Sequence, residues 1–336
     1  MEDYLKIFID REYPSFIDKY LNTSTLSRLK NVTQFCGCDY TKLYHPLFLY
    51  TRYDHSLVVA HMTWHFTHDK KETIAALLHD VGTPCFAHCI DYVFGDYLNQ
   101  ETSEASIADI VKKDKELVSY LIEDGICLEE LEQLELYPIL ENKSPQLCTD
   151  RLDGVLHTCY IWLHTHSLEE IKEVYDHLVV LENEQGNKEI GLDDVVVAEK
   201  FVAMIFTYAK ELQGNTDKYV MNYISEIVKL AVQKGLISLE DLYVKTEEEI
   251  IRVFQEFFLS WNNFKNAECL VRTNQKPEGF YVSLDVKKRN VIPLIKVNQE
   301  VKRIVEVSSF AEEIYFELKN YHDTDFAYVR KIKICN

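Results

Sequence analysis

The sequence predicts a mainly α-helical protein with a small β-hairpin and a short α+β module at its carboxyl end. Apolar residues recur at helical spacing through most of the first 260 residues. Residues 178–191 change to a β-branched run, a Gly-containing turn and a short return run, which indicates a hairpin. The tail from Gly279 again carries short β-branched runs, at 281–286, 291–295 and 301–307, which indicate strands. We therefore expect a helical lead-in at 1–45, a large helical domain at 46–260 and a small α+β module at 261–336.

Length and charge limit the classes of function. The chain has 336 residues, of which 47% are hydrophobic, so it can bury a large core. Its 55 acidic and 36 basic residues give a net charge of −19, which argues against binding to duplex nucleic acid or to an anionic membrane. A small anionic substrate remains compatible, because it needs only a local basic pocket or a metal ion.

The cysteines and the amino terminus favour a reduced, cytoplasmic location. Nine cysteines are spread along the chain, and the first residues lack the basic and apolar pattern of a secretory signal. Cys36 and Cys38 are separated by one residue, which is too close for the usual zinc-binding spacing. We expect a turn with buried thiols there.

Several helices can be placed from their patterns and end signals. Asp69 is an N-cap candidate, with Glu72 three residues later, and Gly82 and Pro84 would end the helix that follows. Further helices are expected at residues 53–67, 86–98, 102–123, 127–135, 149–163, 192–235, 247–258 and 310–321.

A candidate metal site follows from four residues in three of these helices. His79 and Asp80 close an apolar helical run, His55 precedes them and Asp150 follows near the start of a later helix. Neighbouring helical side chains point about 100° apart, so His79 and Asp80 can share an ion only at a helix end. Two imidazoles and two carboxylates suit one divalent ion that activates water, with Mn, Fe, Mg, Ni and Zn all allowed.

Three segments carry a resemblance to a known family. They are Arg52-Tyr53-Asp54-His55-Ser56, Leu77-Leu78-His79-Asp80-Val81-Gly82-Thr83-Pro84-Cys85-Phe86-Ala87-His88, and Asp150-Arg151-Leu152-Asp153. Their order and spacing resemble the HD-domain metal-dependent phosphohydrolases. Within these the chain is most similar to the deoxynucleoside triphosphate triphosphohydrolase branch. The members of that branch carry the motifs R-x-E-H-S, H-D-x-G-H-x-P-F-x-H and D-x-x-D-Y. The resemblance covers about residues 40–255 and implies an HD-type helical bundle.

The resemblance also implies roles for individual residues. His55, His79, Asp80 and Asp150 would bind the metal, and Asp80 would also orient the attacking water. Arg52 and Arg151 would contact phosphate. His88, held by Asp91, would act as a general acid or support the pocket structurally. Gln100 stands where the family has a histidine and is expected to face the substrate. A homo-oligomer is implied by the branch alone.

Other positions depart from the branch pattern. Thr83 and the Gln100-Glu101 pair replace family histidine and His-Glu residues, while Gly154, His157 and Thr158 replace a tyrosine, an arginine and an aspartate. With fewer cationic side chains, the pocket would suit a substrate that carries fewer than three phosphates. Glycine at 154 would also remove a wall beside the sugar.

Three hypotheses remain open at this point. The first is a metal-dependent phosphohydrolase that cleaves a phosphate ester, most naturally of a nucleotide, with deoxynucleoside triphosphate hydrolysis as the specific alternative. The second is a metal-binding HD scaffold of weak activity that senses a nucleotide or binds a protein partner. The third is a helical protein without a metal.

Overall fold

The fold is mainly α-helical, as predicted. A computed structural model describes residues 1–9, 11–100, 102, 106–330 and 332, which contain seventeen α-helices and six strands. The first nine helices are α1 Glu2–Ile9, α2 Asp18–Leu21, α3 Ser24–Arg28, α4 Arg52–Thr67, α5 Lys70–Leu78, α6 Cys89–Val93, α7 Ile107–Val111, α8 Lys115–Glu123 and α9 Leu128–Leu131. The other eight are α10 Thr149–His157, α11 Leu168–Asp176, α12 Val195–Leu212, α13 Asn215–Gln233, α14 Asp241–Val244, α15 Glu247–Phe257, α16 Leu259–Lys265 and α17 Ser309–Asn320.

The strands form two small sheets. They are β1 Leu178–Glu182, β2 Lys188–Leu192, β3 Val271–Thr273, β4 Leu294–Val297, β5 Glu300–Arg303 and β6 Phe326–Tyr328. β1 and β2 are the predicted antiparallel hairpin, and β4 extends it by pairing parallel to β2, so one sheet has the order β1-β2-β4-β5. The carboxyl-terminal strands thus join a sheet that begins in the predicted large domain. The domain boundaries stay a prediction.

Helices α4 and α5 form the centre that later carries the candidate site. Thr51 caps α4, because its hydroxyl accepts from the backbone N–H of Asp54 while the Asp54 carboxylate accepts from the N–H of Thr51. Most residues of both helices are buried. α4 contributes side chains to both hydrophobic clusters of the protein, whereas the buried apolar residues of α5 all belong to one of them. A helix buried on every side is held rigidly, so residues at its ends are well positioned.

The start of α5 confirms one half of a predicted capping box. The carboxylate of Asp69 accepts from the backbone N–H groups of Lys71 and Glu72, as an N-cap does. The Glu72 carboxylate does not accept a hydrogen bond from the backbone N–H of Asp69, as a complete capping box requires. It accepts instead from the N–H groups of Ile139 and Leu140, at 2.9 and 3.1 Å, and so ties α5 to the loop before α10.

The segment between α5 and α8 is less regular than predicted. A single helix over 86–98 is wrong, since only Cys89–Val93 is helical. Phe86, Ala87 and Gln100 have positive φ values, a conformation that interrupts a helix and that non-glycine residues rarely adopt. The predicted helix over 102–123 is divided into α7 and α8, while Glu101 and residues 103–105 lie outside the described residues.

The extended segment after β3 runs across the helical body. The backbone N–H of Lys287 donates to the carbonyl of Tyr97, and the N–H of Ile292 donates to the carbonyl of Pro145. The strand predicted at 281–286 is wrong, because Val282 makes an isolated bridge to Ala327 and its neighbours form no ladder. In the described part of the chain, every helix is too short or too polar to cross a lipid bilayer.

Candidate metal centre

The four side chains predicted to bind a metal converge on one point. The Nε2 atom of His55 lies 3.0 Å from Oδ1 of Asp150 and 3.8 Å from Oδ2 of Asp80. Nε2 of His79 lies 3.6 Å from the same Asp150 oxygen and 3.7 Å from the same Asp80 oxygen. The donor atoms of His55, His79 and Asp80 all lie within 4.8 Å of one another, close enough to share one ion, and Asp150 contacts both imidazoles.

Three helix ends supply these residues. His55 lies in the first turn of α4, and Asp150 is the second residue of α10. α5 ends at Leu78, so His79 and Asp80 occupy its carboxyl-terminal end, where adjacent side chains can turn to one side. The geometric condition for a shared ion at a helix end is therefore met.

Both histidines are held in the tautomer that a metal requires. Nδ1 of His55 donates to Oδ2 of Asp153 at 2.6 Å, and Nδ1 of His79 donates to the carbonyl of Ala76 at 2.7 Å. With each Nδ1 engaged in this way, Nε2 is the nitrogen that would give up its proton and bind a metal ion in the cluster. Nε2 of His79 is buried and has no hydrogen-bond partner among the described residues. A divalent ion would satisfy this atom, so the residues present fit a metal.

Asp153 organises the support behind the cluster. Its side chain is fully buried and accepts from the hydroxyls of Tyr4, at 2.8 Å, and Tyr50, at 3.0 Å. Nδ1 of His157 lies 3.2 Å from the same Oδ2 that His55 contacts. The histidine that replaces a family arginine thus joins this buried network. The sequence motif includes Asp153, but only the fold brings Tyr4 and Tyr50 to it.

The contacts within the cluster favour ionised carboxylates beside a protonated imidazole. A metal cation could replace the positive charge of that imidazole. Burial alone lowers the pKa of His55, but its bonds to Asp150 and Asp153 outweigh burial and raise the pKa to about 10. Burial raises the pKa of Asp80, yet the guanidinium of Arg52 and the two imidazoles hold it well below its usual range. The carboxylates are therefore ionised at neutral pH, which metal binding requires.

Arg52 is fixed against Asp80. Its Nη1 donates to both carboxylate oxygens of Asp80, at 3.0 and 2.9 Å, and Thr83 donates to Oδ1 at 3.0 Å. Both partners of this ion pair are buried. The arrangement leaves one Asp80 oxygen shared between Arg52 and the cluster. Contact of Arg52 with a phosphate stays a prediction.

His88 and Asp91 form the predicted pair beside the cluster. Nδ1 of His88 lies 3.0 Å from Oδ2 of Asp91, which is fully buried. Burial lowers the pKa of His88, the bond to Asp91 opposes this, and the charges of Arg289 and Arg52 lower it further. The imidazole is thus neutral at neutral pH. A bound anion would oppose those charges and raise the pKa, which a general acid needs.

Gln100 lies beside a cation that sequence reasoning missed. Its side-chain oxygen accepts from Nη2 of Arg289 at 2.6 Å, and Gln100 itself is buried. Arg289 belongs to the extended segment after β3, and its charge acts on both His88 and Tyr208. Nothing local in the sequence distinguishes Arg289 from its basic neighbours, because its position depends on a contact across 189 residues.

Arg151 is engaged on the side of α10. Its guanidinium donates to the carboxylate of Glu141, to Asn142 and, at 2.7 Å, to the carbonyl of Gln146. These contacts anchor the loop before α10. The predicted role of Arg151 in phosphate binding would require some of them to be given up and stays a prediction.

The position of Gly154 is backed by a tyrosine from another helix. A Cβ atom at Gly154 would lie 3.8 Å from the hydroxyl of Tyr208 in α12. Tyr208 therefore stands in the space in front of the glycine, where the family tyrosine would begin. The loss of a wall beside the sugar stays a prediction, and a tyrosine from α12 approaches the same position.

The Cys36-Gly37-Cys38 segment is a turn, as predicted. Cys36 and Gly37 have φ values of 55° and 85°, and Cys38 is buried. The Cys36 sulfur lies 3.9 Å from Nη2 of Arg52, so this turn supports the arginine. The eight described cysteines are free thiols.

Sequence comparisons give distant relatives. No protein-family model matches the chain. It is 29% identical over 241 residues to the uncharacterised protein YdhJ of Bacillus subtilis, covering 71% of this chain and 70% of that protein. It is 23% identical over 305 residues to an uncharacterised Mycoplasma genitalium protein, covering 81% and 65%. A match of 29% over 149 residues, covering 43% and 41%, is to the metal-dependent phosphohydrolase cns2 of Cordyceps militaris.

Structural comparisons show a shared fold over nearly the whole chain. A phosphohydrolase from Bacteroides thetaiotaomicron superposes with a TM-score of 0.62 at 13% identity, covering 93% of this chain and 94% of that one. A hypothetical protein from Aquifex aeolicus superposes with a TM-score of 0.52 at 18% identity, covering 92% and 91%. The helical body and the small sheet are therefore a known architecture.

Proposed function

We propose that this chain is a metal-dependent phosphohydrolase of the HD type that cleaves a phosphate ester of a nucleotide. The observation that carries the proposal is the buried Nε2 of His79, which lacks a hydrogen-bond partner among the described residues and faces Asp80, Asp150 and His55. The phosphohydrolase names of a partial relative and of a structural neighbour support it.

The cluster would hold one divalent ion through His55, His79, Asp80 and Asp150. Such an ion lowers the pKa of water and offsets negative charge on a phosphate. Asp153 keeps His55 in the correct tautomer, and Asp80 is oriented by Arg52 and can accept a hydrogen bond from the water that attacks phosphorus. The ion's identity stays open among Mn, Fe, Mg, Ni and Zn.

The residues around the cluster have complementary roles in this proposal. Arg52 and Arg289 offset charge on non-bridging phosphate oxygens, and Gln100 positions Arg289. His88, with Asp91 behind it, donates a proton to the leaving oxygen once the bound anion has raised its pKa. Tyr208 forms the wall beside the sugar.

A screen with metal analysis tests the proposal. The purified protein is analysed for bound metal, then assayed with Mn²⁺ on nucleoside mono-, di- and triphosphates and on other phosphate esters, with phosphate, pyrophosphate and triphosphate measured separately. We expect metal-dependent turnover that His79→Ala abolishes. The matched control is His177→Ala, which removes a surface histidine paired with Asp193 at 2.9 Å and leaves the cluster intact.

Two alternatives are decided by the same screen. Release of triphosphate from deoxynucleotides would establish the triphosphohydrolase reaction, which the extra cation Arg289 makes more compatible with the pocket. Binding of metal and nucleotide without turnover would favour a sensor or interaction scaffold. The engagement of Arg151 and Arg52 with protein carboxylates favours that second alternative. Association into a homo-oligomer is a further proposal, which the molar mass in solution would test.

A further inference from the structure

A pocket is lined in part by residues 285–288, which directly precede Arg289 in the chain. Its volume is about 440 Å³, within the range of small-molecule sites. It is formed by the first turn of α13, residues 285–288 and the residues that follow α17. None of the four residues of the metal centre lines it.

Lys218 is the unusual residue of this pocket. It lines the cavity from the first turn of α13, its side chain is mostly buried, with 8% of the residue exposed, and its ammonium group has no ion-pair or hydrogen-bond partner among the described residues. Withdrawal of most of this side chain from water lowers the pKa of Lys218. Its place near a helix amino terminus adds to the local positive potential. An anion in the pocket would supply the missing partner.

The charges of Asp285, Asp323 and Asp217 oppose this effect of burial only in part. Asp323 is committed elsewhere, since it accepts from Nε of Arg272 at 3.1 Å and from the backbone N–H of Asn215 at 2.8 Å. Asp217, the preceding residue in α13, is buried, and burial together with Glu211 raises its pKa to about 8. It is therefore mostly neutral at neutral pH.

The lining carries three lysines against two aspartates, and one of these aspartates, Asp323, is paired with Arg272. Lys287 and Lys288 line the cavity with Lys218, against the exposed Asp285, and His322 lies 3.3 Å from Asp325. Three lysines around one cavity contrast with the overall charge of −19. The balance suits a ligand with more than one negative charge.

The pocket also has an apolar wall. Leu98, Val286 and Tyr321 line it, and Leu98 leaves 57% of its surface exposed. An aromatic ring beside aliphatic side chains can pack against a flat ring of a ligand. Lysine side chains and a tyrosine ring therefore line one cavity.

We propose that this pocket binds a phosphate-bearing small molecule with a flat ring, with Lys218 paired to its phosphate, at a site distinct from the metal centre. The proposal goes beyond the hydrolase function and does not depend on it.

Calorimetric titration in the presence of EDTA tests the proposal, with ATP and inorganic pyrophosphate as probes. We expect the intact protein to bind ATP, and Lys218→Met to weaken it at least about tenfold, as the loss of a charge-assisted hydrogen bond predicts. Lys234→Met, which removes an exposed lysine at the end of the same helix, and His79→Ala should bind as the parent does.

Several results would overturn the proposal. One is equal ATP affinity in the Lys218→Met variant and the parent; another is loss of binding in His79→Ala with retention in Lys218→Met, which would place the anion at the metal centre. The proposal would also be overturned if the parent protein did not bind ATP at concentrations up to about 1 mM. If Lys218→Met does not fold, Lys288→Gln at an exposed position takes its place and should weaken ATP binding, and an unchanged affinity there counts against the site.

Discussion

Asp153→Asn is expected to weaken metal binding although Asp153 is not one of the four predicted ligands. The carboxylate accepts from His55, Tyr4 and Tyr50 and is fully buried. The asparagine amide keeps most of these contacts if its oxygen faces His55, because the Tyr4 hydroxyl can then accept from the NH₂ group. With the opposite orientation, His55 must accept at Nδ1 and carries its proton on Nε2, facing the cluster.

The expected loss of metal affinity depends on which way the asparagine amide is oriented. With the favourable orientation only the negative charge behind His55 is lost, which makes the imidazole a weaker ligand. We expect metal affinity to fall about 10- to 100-fold, as for other outer-shell partners of metal-binding histidines. The free energy of unfolding without metal should fall by about 1–3 kcal/mol, because hydrogen bonds to a charged group are replaced by neutral ones.

The assay is a competition titration of Mn²⁺ against a chelator, with urea unfolding in EDTA as the second measurement. Asp193→Asn is the matched control, since Asp193 contacts Nδ1 of His177 at 2.9 Å on the surface. That variant should keep the metal affinity of the parent. A dissociation constant for Mn²⁺ in Asp153→Asn that equals the parent value would refute the reasoning about the His55 tautomer and basicity.

Other predictions concern backbone, charge and substrate. Gly154→Ala should raise the free energy of unfolding by about 0.5–1 kcal/mol, because the helical glycine gains a Cβ with only an ordinary 3.8 Å neighbour. Gly37→Ala should lower it by more than about 1 kcal/mol, since φ is +85° and a Cβ would lie 2.8 Å from Ile224; equal urea midpoints in the two variants would contradict both. Asp217 has a pKa raised from 3.8 to about 8, so the folded state keeps a proton that the unfolded state releases. Its contribution is therefore complete at low pH and declines by up to about 1.4 kcal/mol per pH unit as pH rises towards 8, and Asp217→Asn should remove this slope from urea unfolding curves. Arg289→Gln should reduce kcat/KM for the identified substrate about tenfold or more without changing metal affinity, and unchanged kinetics would exclude Arg289 from the phosphate site.

The sequence predicts the features that depend on local signals. Asp69 marks the start of α5, and the apolar run before His79 marks its end, so the position of the His-Asp pair at a helix terminus follows from the pattern. The hairpin of β1 and β2 also follows from local periodicity. By contrast, Phe86 and Gln100 adopt positive φ without any glycine to indicate it. Tertiary contacts hold those residues, and no local propensity reports them.

Around the metal cluster, the expectations from the sequence and the observed structure differ at two positions for the same physical reason. When α10 and the segment before α7 are considered alone, Gly154 and Gln100 look like losses of the tyrosine and the histidine that the family has at these positions. In the fold, Tyr208 from α12 fills the space before Gly154, and Arg289 from the tail binds Gln100. Both additions come from elements later in the chain, whose positions depend on long-range packing. In the proposed function, the helices α4, α5 and α10 would hold the metal, while the later elements would determine which phosphate compound can approach it.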